Sequence, residues 1–121
     1  MKTETRIAEL SFDFALKVIQ LYKILIEKRE YILSKQLLRA ACSIGANVEE
    51  ASAAQTKKDF ILKMSFASKE GRETRYWLKL LERSKMCDIN YQEYLNDIEA
   101  IIRVLTKIVK TSQQNLSTPK T

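Results

Sequence analysis

The chemically suggestive side chains of this sequence are charged and polar residues at helical spacing. Between Lys57 and Met86, nine Lys or Arg stand against four Asp or Glu. Arg72, Arg75, Lys79 and Arg83, with Ser68, fall within about 80° of one another on a helical wheel. Cations aligned on one rigid face release counterions when they meet a phosphate backbone, so binding RNA or DNA is the chemistry this stripe could do. A solvated helix face is the plainer reading of the same residues. No RNA-binding motif or aromatic stacking platform is legible, so no sequence-specific readout is expected.

A second constellation is Arg39, Ser43, Asn47, Glu50, Glu70 and Glu73. An internal hydrogen-bonded network that sets helix register or a subunit interface is the reading such groups favour over a reactive site. Glu70 and Glu73 fall inside an apolar arc, where an unpaired carboxylate is expensive, so Arg39 is expected to form a partly buried pair with Glu73. Carboxylate-bridged di-metal bundles use Glu-x-x-His motifs, and this chain contains no histidine. No metal and no other cofactor are expected. With no His to activate Cys42 or Ser43 and no Gly-rich phosphate loop, no catalytic residue is assigned and an enzyme is not expected.

Long helices must position these groups. Two glycines and one proline, Pro119, leave almost nothing to break a helix, so the fold class is all-α. Ser11 is the expected N-cap of a first helix carrying Phe14, Val18, Leu21 and Leu25, flanked by Phe12, Ala15, Ile19, Tyr22 and Ile26, and ending near Lys28 or Arg29. Ser34 is the expected cap of a second helix, with Leu33 and Leu38 as a hydrophobic staple, running to about Gln55. Gly45 is expected where a neighbouring helix comes close. Thr56 and Asp59 have the spacing of a capping box, opening a third helix from Lys57 to about Lys85 with Leu62, Phe66, Trp77, Leu80 and Leu81 on its apolar arc. Asn90 and Glu93 repeat that spacing ahead of a fourth helix with Tyr94, Ile98, Ile101, Leu105, Ile108 and Val109, ending near Thr111 to Gln113. If the second and third helices run antiparallel about Thr56, residues whose numbers sum to about 112 lie level, which sets Arg39 beside Glu73.

At 121 residues with 45% apolar side chains, one domain and one core are expected, over residues 1–113, followed by a disordered polar tail over 114–121. No run approaches the roughly 20 apolar residues of a membrane span and the first ten residues lack a signal-peptide core, so no membrane contact and a cytoplasmic location are expected. In the hairpin register Cys87 lies roughly 26 Å beyond Cys42, out of disulfide range, so both are expected to be buried or inert thiols. The broad apolar arcs of the first and third helices exceed one buried face each, which points to a homo-oligomer.

The chain resembles the four helix bundle protein family, also called the 23S rRNA-intervening sequence proteins. The likeness covers nearly the whole chain and is strongest over Leu33 to Ala51 and Lys57 to Leu81. A Ser-Ile-x-x-Asn-x-x-Glu core is met by Ser43, Ile44, Asn47 and Glu50, and a Glu-x-x-Glu-Thr-x-x-Trp-Leu run by Glu70, Glu73, Thr74, Trp77 and Leu78. Gly71 departs from the alanine or other helix former usual there. The resemblance implies an antiparallel, up-down four-helix bundle that assembles as a homopentamer with no known catalytic activity. The family is similar to the accessory protein of diversity-generating retroelements, a basic pentamer that binds nucleic acid and a reverse transcriptase. Two functions are therefore carried forward: a non-catalytic nucleic-acid-binding adaptor acting through Arg72, Arg75, Lys79 and Arg83, and a structural or protein-interaction oligomer whose positive charge is incidental.

Overall fold

The first helix begins eight residues before Ser11. In the computed structural model, which describes residues 3–117, α1 spans Thr3–Glu27, α2 Leu33–Ser52, α3 Lys57–Ser84 and α4 Gln92–Ser117. Ser11 lies within α1, fully buried, its hydroxyl donating back to the Ala8 carbonyl at 3.2 Å. Ile7, one turn earlier, is also buried, so the N-terminal stretch adds to the core. Each helix packs on its neighbours in the chain and α1 closes on α4, with no close backbone approach across either diagonal among the described residues. This is the expected all-α, up-down four-helix bundle. Phe14, Val18, Leu21 and Leu25 of α1, Leu37, Ala41, Ile44 and Val48 of α2, and Ile98, Ile101 and Leu105 of α4 fill its centre.

The third helix departs from its wheel. Its buried residues are Ile61, Met64, Ala67, Gly71, Thr74, Leu78 and Leu81, so of the five bulky residues expected inward only Leu81 is buried. Leu62 and Phe66 are exposed. The physical reason is close packing: a Cβ on Gly71 would stand 3.2 Å from Ile102 Cγ1 of α4 and 4.0 Å from Ile44 Cδ1 of α2. Small side chains on the inner face let both neighbours approach. Gly45 is less constrained, since its added Cβ would meet Ser11 at 3.7 Å, an ordinary contact.

The helix ends also differ from expectation in places. Thr56 caps α3 as anticipated, accepting the Asp59 N–H at 3.1 Å. Asn90 accepts from the Gln92 N–H at 3.0 Å, one residue nearer than a capping box, and Glu93 turns instead to Lys17 of α1. The fourth helix continues to Ser117, past the expected end at Gln113; of the anticipated tail, 118–121 lie outside the described residues.

Ser34 is not the cap of α2. The helix starts at Leu33, and Glu30 performs the capping. Its carboxylate, 4% exposed, accepts the backbone N–H groups of Ile32, Leu33 and Ser34 at 3.3, 2.9 and 2.6 Å. Ser34 Oγ donates to the Glu30 carbonyl at 2.6 Å. Glu30 is delivered there by the end of α1, where Arg29 adopts φ 66° and the Glu30 N–H reaches the Leu25 carbonyl at 2.9 Å, closing a Schellman motif. The negative charge faces the positive end of α2. Nearby, the hydroxyl of buried Tyr91 has no hydrogen-bond partner, and burial, with Cys87 and Glu30 adding, pushes its pKa up to about 12. These two groups invite opposite outcomes. Glu30→Ala should lower stability by about 2 kcal/mol or more, because three orphan N–H groups lose a charged acceptor. Tyr91→Phe should be neutral or mildly stabilising, since it removes a hydroxyl that bonds nothing. Urea unfolding of the two variants beside the wild type checks both, and a Glu30→Ala midpoint equal to that of wild type would contradict the capping role.

Candidate nucleic-acid interface

The stripe residues sit on the side of α3 that turns toward α4 and solvent. Arg72, Lys79 and Arg83 are exposed and, among the described residues, have no carboxylate within ion-pair distance. Arg75 is different. It is half-buried and bonds Glu99 of α4 at 3.0 Å, so its charge is already engaged. The stripe therefore offers three open cations.

The wheel of α3 missed what α4 adds. The Arg75–Glu99 pair and the Gly71–Ile102 approach set the register of these antiparallel helices, bringing Arg103 within a turn of the level of Arg72 and Thr106 level with Ser68. A groove of about 270 Å³ between the two helices is lined by Ser65, Ser68 and Arg72 on one side and Thr106, Val109 and Lys110 on the other. The signal in the sequence was Arg103, Lys107 and Lys110 at four- and three-residue spacing on one face, overshadowed by the apolar pattern of the same helix.

The second constellation divides into three groups. Arg39 pairs with Glu73 across the hairpin, as its register requires, and reaches Glu70 at 3.5 Å. Glu73 also accepts from Trp77 Nε1 at 2.9 Å, a partner the wheel did not suggest. Glu50 crosses the same seam to Lys63 at 3.0 Å. Ser43 and Asn47 bond each other within α2, the Asn47 amide donating to the Ser43 carbonyl at 2.9 Å and to its hydroxyl at 3.2 Å. Within the third-helix motif, Thr74 is fully buried and donates to the Glu70 carbonyl at 2.8 Å, while Leu78 is core.

Neither cysteine is in a disulfide. Cys87 is buried; Cys42 is exposed, and partial desolvation raises its thiol pKa, which leaves less thiolate for nucleophilic attack. No described helix is long and apolar enough to cross a membrane.

The family model for the 23S rRNA-intervening sequence protein matches residues 3–107. The chain belongs to the 23S rRNA-intervening sequence protein family. The match spans all of α1, α2 and α3 and most of α4, so both the cationic stripe and the hairpin network lie inside the family domain. A crystal structure of a protein of unknown function from the S23 ribosomal protein family of Bacteroides thetaiotaomicron VPI-5482 is similar, at 41% identity and a TM-score of 0.84, covering 90% of this chain and 99% of that one. No curated protein matches.

The hairpin pair is weaker than a buried one. Arg39 is 49% exposed and Glu73 35%, so solvent screens the charges and the loss on removing either is modest. Arg39→Ala should cost about 1 kcal/mol or less, not the roughly 3 kcal/mol of a broken buried pair. A double-mutant cycle with Glu73→Gln measures the coupling, and a value near the buried-pair figure would show that Glu73 is desolvated in the working assembly.

Proposed function

We propose that this family member is a non-catalytic, oligomeric adaptor that holds nucleic acid on the outer face of α3. The observation that carries the reading is the alignment of Arg72, Lys79 and Arg83, exposed and open, along one 28-residue helix. Phosphate contacts of this kind give affinity without sequence preference. Repeated around a closed ring, three cations per subunit become a multivalent surface in which each contact can be weak.

Two apolar surfaces support self-association. One is a groove of about 440 Å³ between α1 and α2, lined mostly by apolar residues such as Ala8, Phe12, Ala15, Gly45 and Ala46, with Ser11 and Glu49 also on its wall. Phe12 stands 65% exposed at its edge. The other is the ridge of Leu62 and Phe66 on α3, the helix diagonal to α1. A groove and a ridge on different faces of one chain make a heterologous contact, the type that closes into rings, and a homopentamer is the ring we propose. Light scattering should return the mass of five protomers for the wild type. Phe66→Glu should give a smaller species with its helix content intact; a monomeric wild type at micromolar concentration would remove the assembly.

The nucleic-acid contact is read from salt dependence. For generic RNA or DNA, Arg72→Gln should flatten the slope of log K against log salt by about 0.7 to 0.9, and Arg75→Gln, whose charge is spent on Glu99, by clearly less. Replacing Arg72, Arg75, Lys79 and Arg83 together with Gln should abolish most salt-dependent binding with the oligomer unchanged. Equal binding by this variant and the wild type would rule out the stripe as the site. The exposed apolar faces favour a second reading, a structural or protein-interaction oligomer, which moves to the front if neither protein binds at about 50 mM salt.

A further inference from the structure

We propose that the nucleic acid this protein holds is single-stranded, its backbone running in the groove between α3 and α4 and a base stacking on Tyr76. The inference rests on the nucleic-acid reading above and adds a strand class, a second helix and an aromatic contact.

Tyr76 is 56% exposed, one turn beyond Arg72 and three residues before Lys79, between the apolar ridge and the open cations. Its ring meets that of Trp77 edge to face, with centroids 5.1 Å apart and planes at 71°. Trp77 is itself held by the bond from its indole N–H to Glu73. The tyrosine is thus braced on one side while more than half of it stays open to solvent. A braced, exposed aromatic loses little freedom when a base stacks on it.

The groove beside it has phosphate chemistry. Arg72 and Lys110 bring positive charge from opposite walls, and Ser65, Ser68 and Thr106 bring hydroxyl donors between them. Charge-assisted bonds from Arg and Lys with neutral donors nearby are how proteins grip phosphate oxygens. Arg103, exposed near the level of Arg72, extends the track along α4. A cationic groove that follows the backbone, with an aromatic ring one turn away, is the arrangement that binds unpaired strands. In a duplex the base faces are already stacked, so Tyr76 has nothing to engage.

Fluorescence anisotropy with a labelled oligouridylate and with a duplex RNA of equal length tests this on the intact oligomer. The wild type should bind the single strand more tightly. Tyr76→Leu should weaken oligouridylate binding roughly 5- to 150-fold while leaving duplex binding and the salt slope alone, because the ring stacks but carries no charge. Tyr76→Phe should keep wild-type affinity. Lys110→Gln should flatten the slope for the single strand as Arg72→Gln does. Duplex bound as tightly as the single strand by the wild type overturns the proposal whatever the variants do, as does full affinity in Tyr76→Leu at unchanged oligomeric mass. If only the charge variants weaken binding, the adaptor reading stands and this inference falls. If the wild type binds neither probe at about 50 mM salt, both fall together.

Discussion

The close approach of α2 and α4 to the inner face of α3 is the constraint from which the rest of this bundle follows. Gly71 is buried where both neighbours converge, with Ile102, Ile98 and Ile44 all within 4.0 Å of the position a Cβ would take. Ala67 and Thr74, on the same inner face, are fully buried. A glycine inside a helix costs about 1 kcal/mol of propensity relative to alanine. Here that cost is offset by dispersion contacts and by burial of the isoleucines that fill the space. With the middle of the inner face held to Ala67, Gly71 and Thr74, between Ile61 and Met64 at one end and Leu78 and Leu81 at the other, Leu62, Phe66 and Tyr76 stand outside. The surface chemistry of α3 is thus a consequence of its core.

Ion pairs tie three of the four seams. Lys17 joins α1 to Glu93 and Asp97 of α4, its ammonium pKa raised by those hydrogen bonds. Arg39 and Glu50 join α2 to α3, and Arg75 joins α3 to α4. Pairs this exposed contribute little to stability individually, but each fixes which residues stand level across a seam. Among the described residues the α1–α2 seam has no such pair. It carries instead the groove of alanines, Gly45 and Phe12. A seam that no ion pair closes, lined mostly by small apolar side chains with Glu49 on its wall, leaves room for an apolar ridge from another copy.

The outer face of α3 divides along its length. From the α2 side toward α4 it passes from Phe66 and the Arg39–Glu73 pair, through Leu62, to Tyr76 and then to the open cations. Apolar contact and phosphate contact can therefore occupy one helix without competing for the same side chains. Tyr76 at the boundary is amphipathic, apolar in its ring and polar at its tip, as such a boundary requires.

How much of this was legible without coordinates depends on the range of each interaction. Periodicity and the scarcity of Gly and Pro were enough for four helices and a single bundle, because helix formation and binary patterning are local. The turn at Thr56, whose cap is three residues long, determined the α2–α3 register and with it the Arg39–Glu73 pair, while the Glu50–Lys63 pair in the same register went unread. The α3–α4 register was not legible, since the link between them runs through Lys85 at φ 57° and an irregular stretch before Asn90. Hence Arg75 looked open until Glu99 was seen beside it. The wheel of α3 carried two apolar arcs, one with Leu62, Phe66, Trp77 and Leu80 and one with Ile61, Met64, Ala67, Gly71, Thr74 and Leu78, and amphipathicity alone favours the more uniformly bulky one. Tertiary packing chose the arc with Ala67, Gly71 and Thr74 at its middle, because helix separation is set by the neighbours and not by the helix itself. Glu30 was missed for a related reason: it lies in a charged link with no local preference for burial. What brings its carboxylate under the start of α2 is the backward turn at Arg29, a backbone conformation that an arginine does not announce.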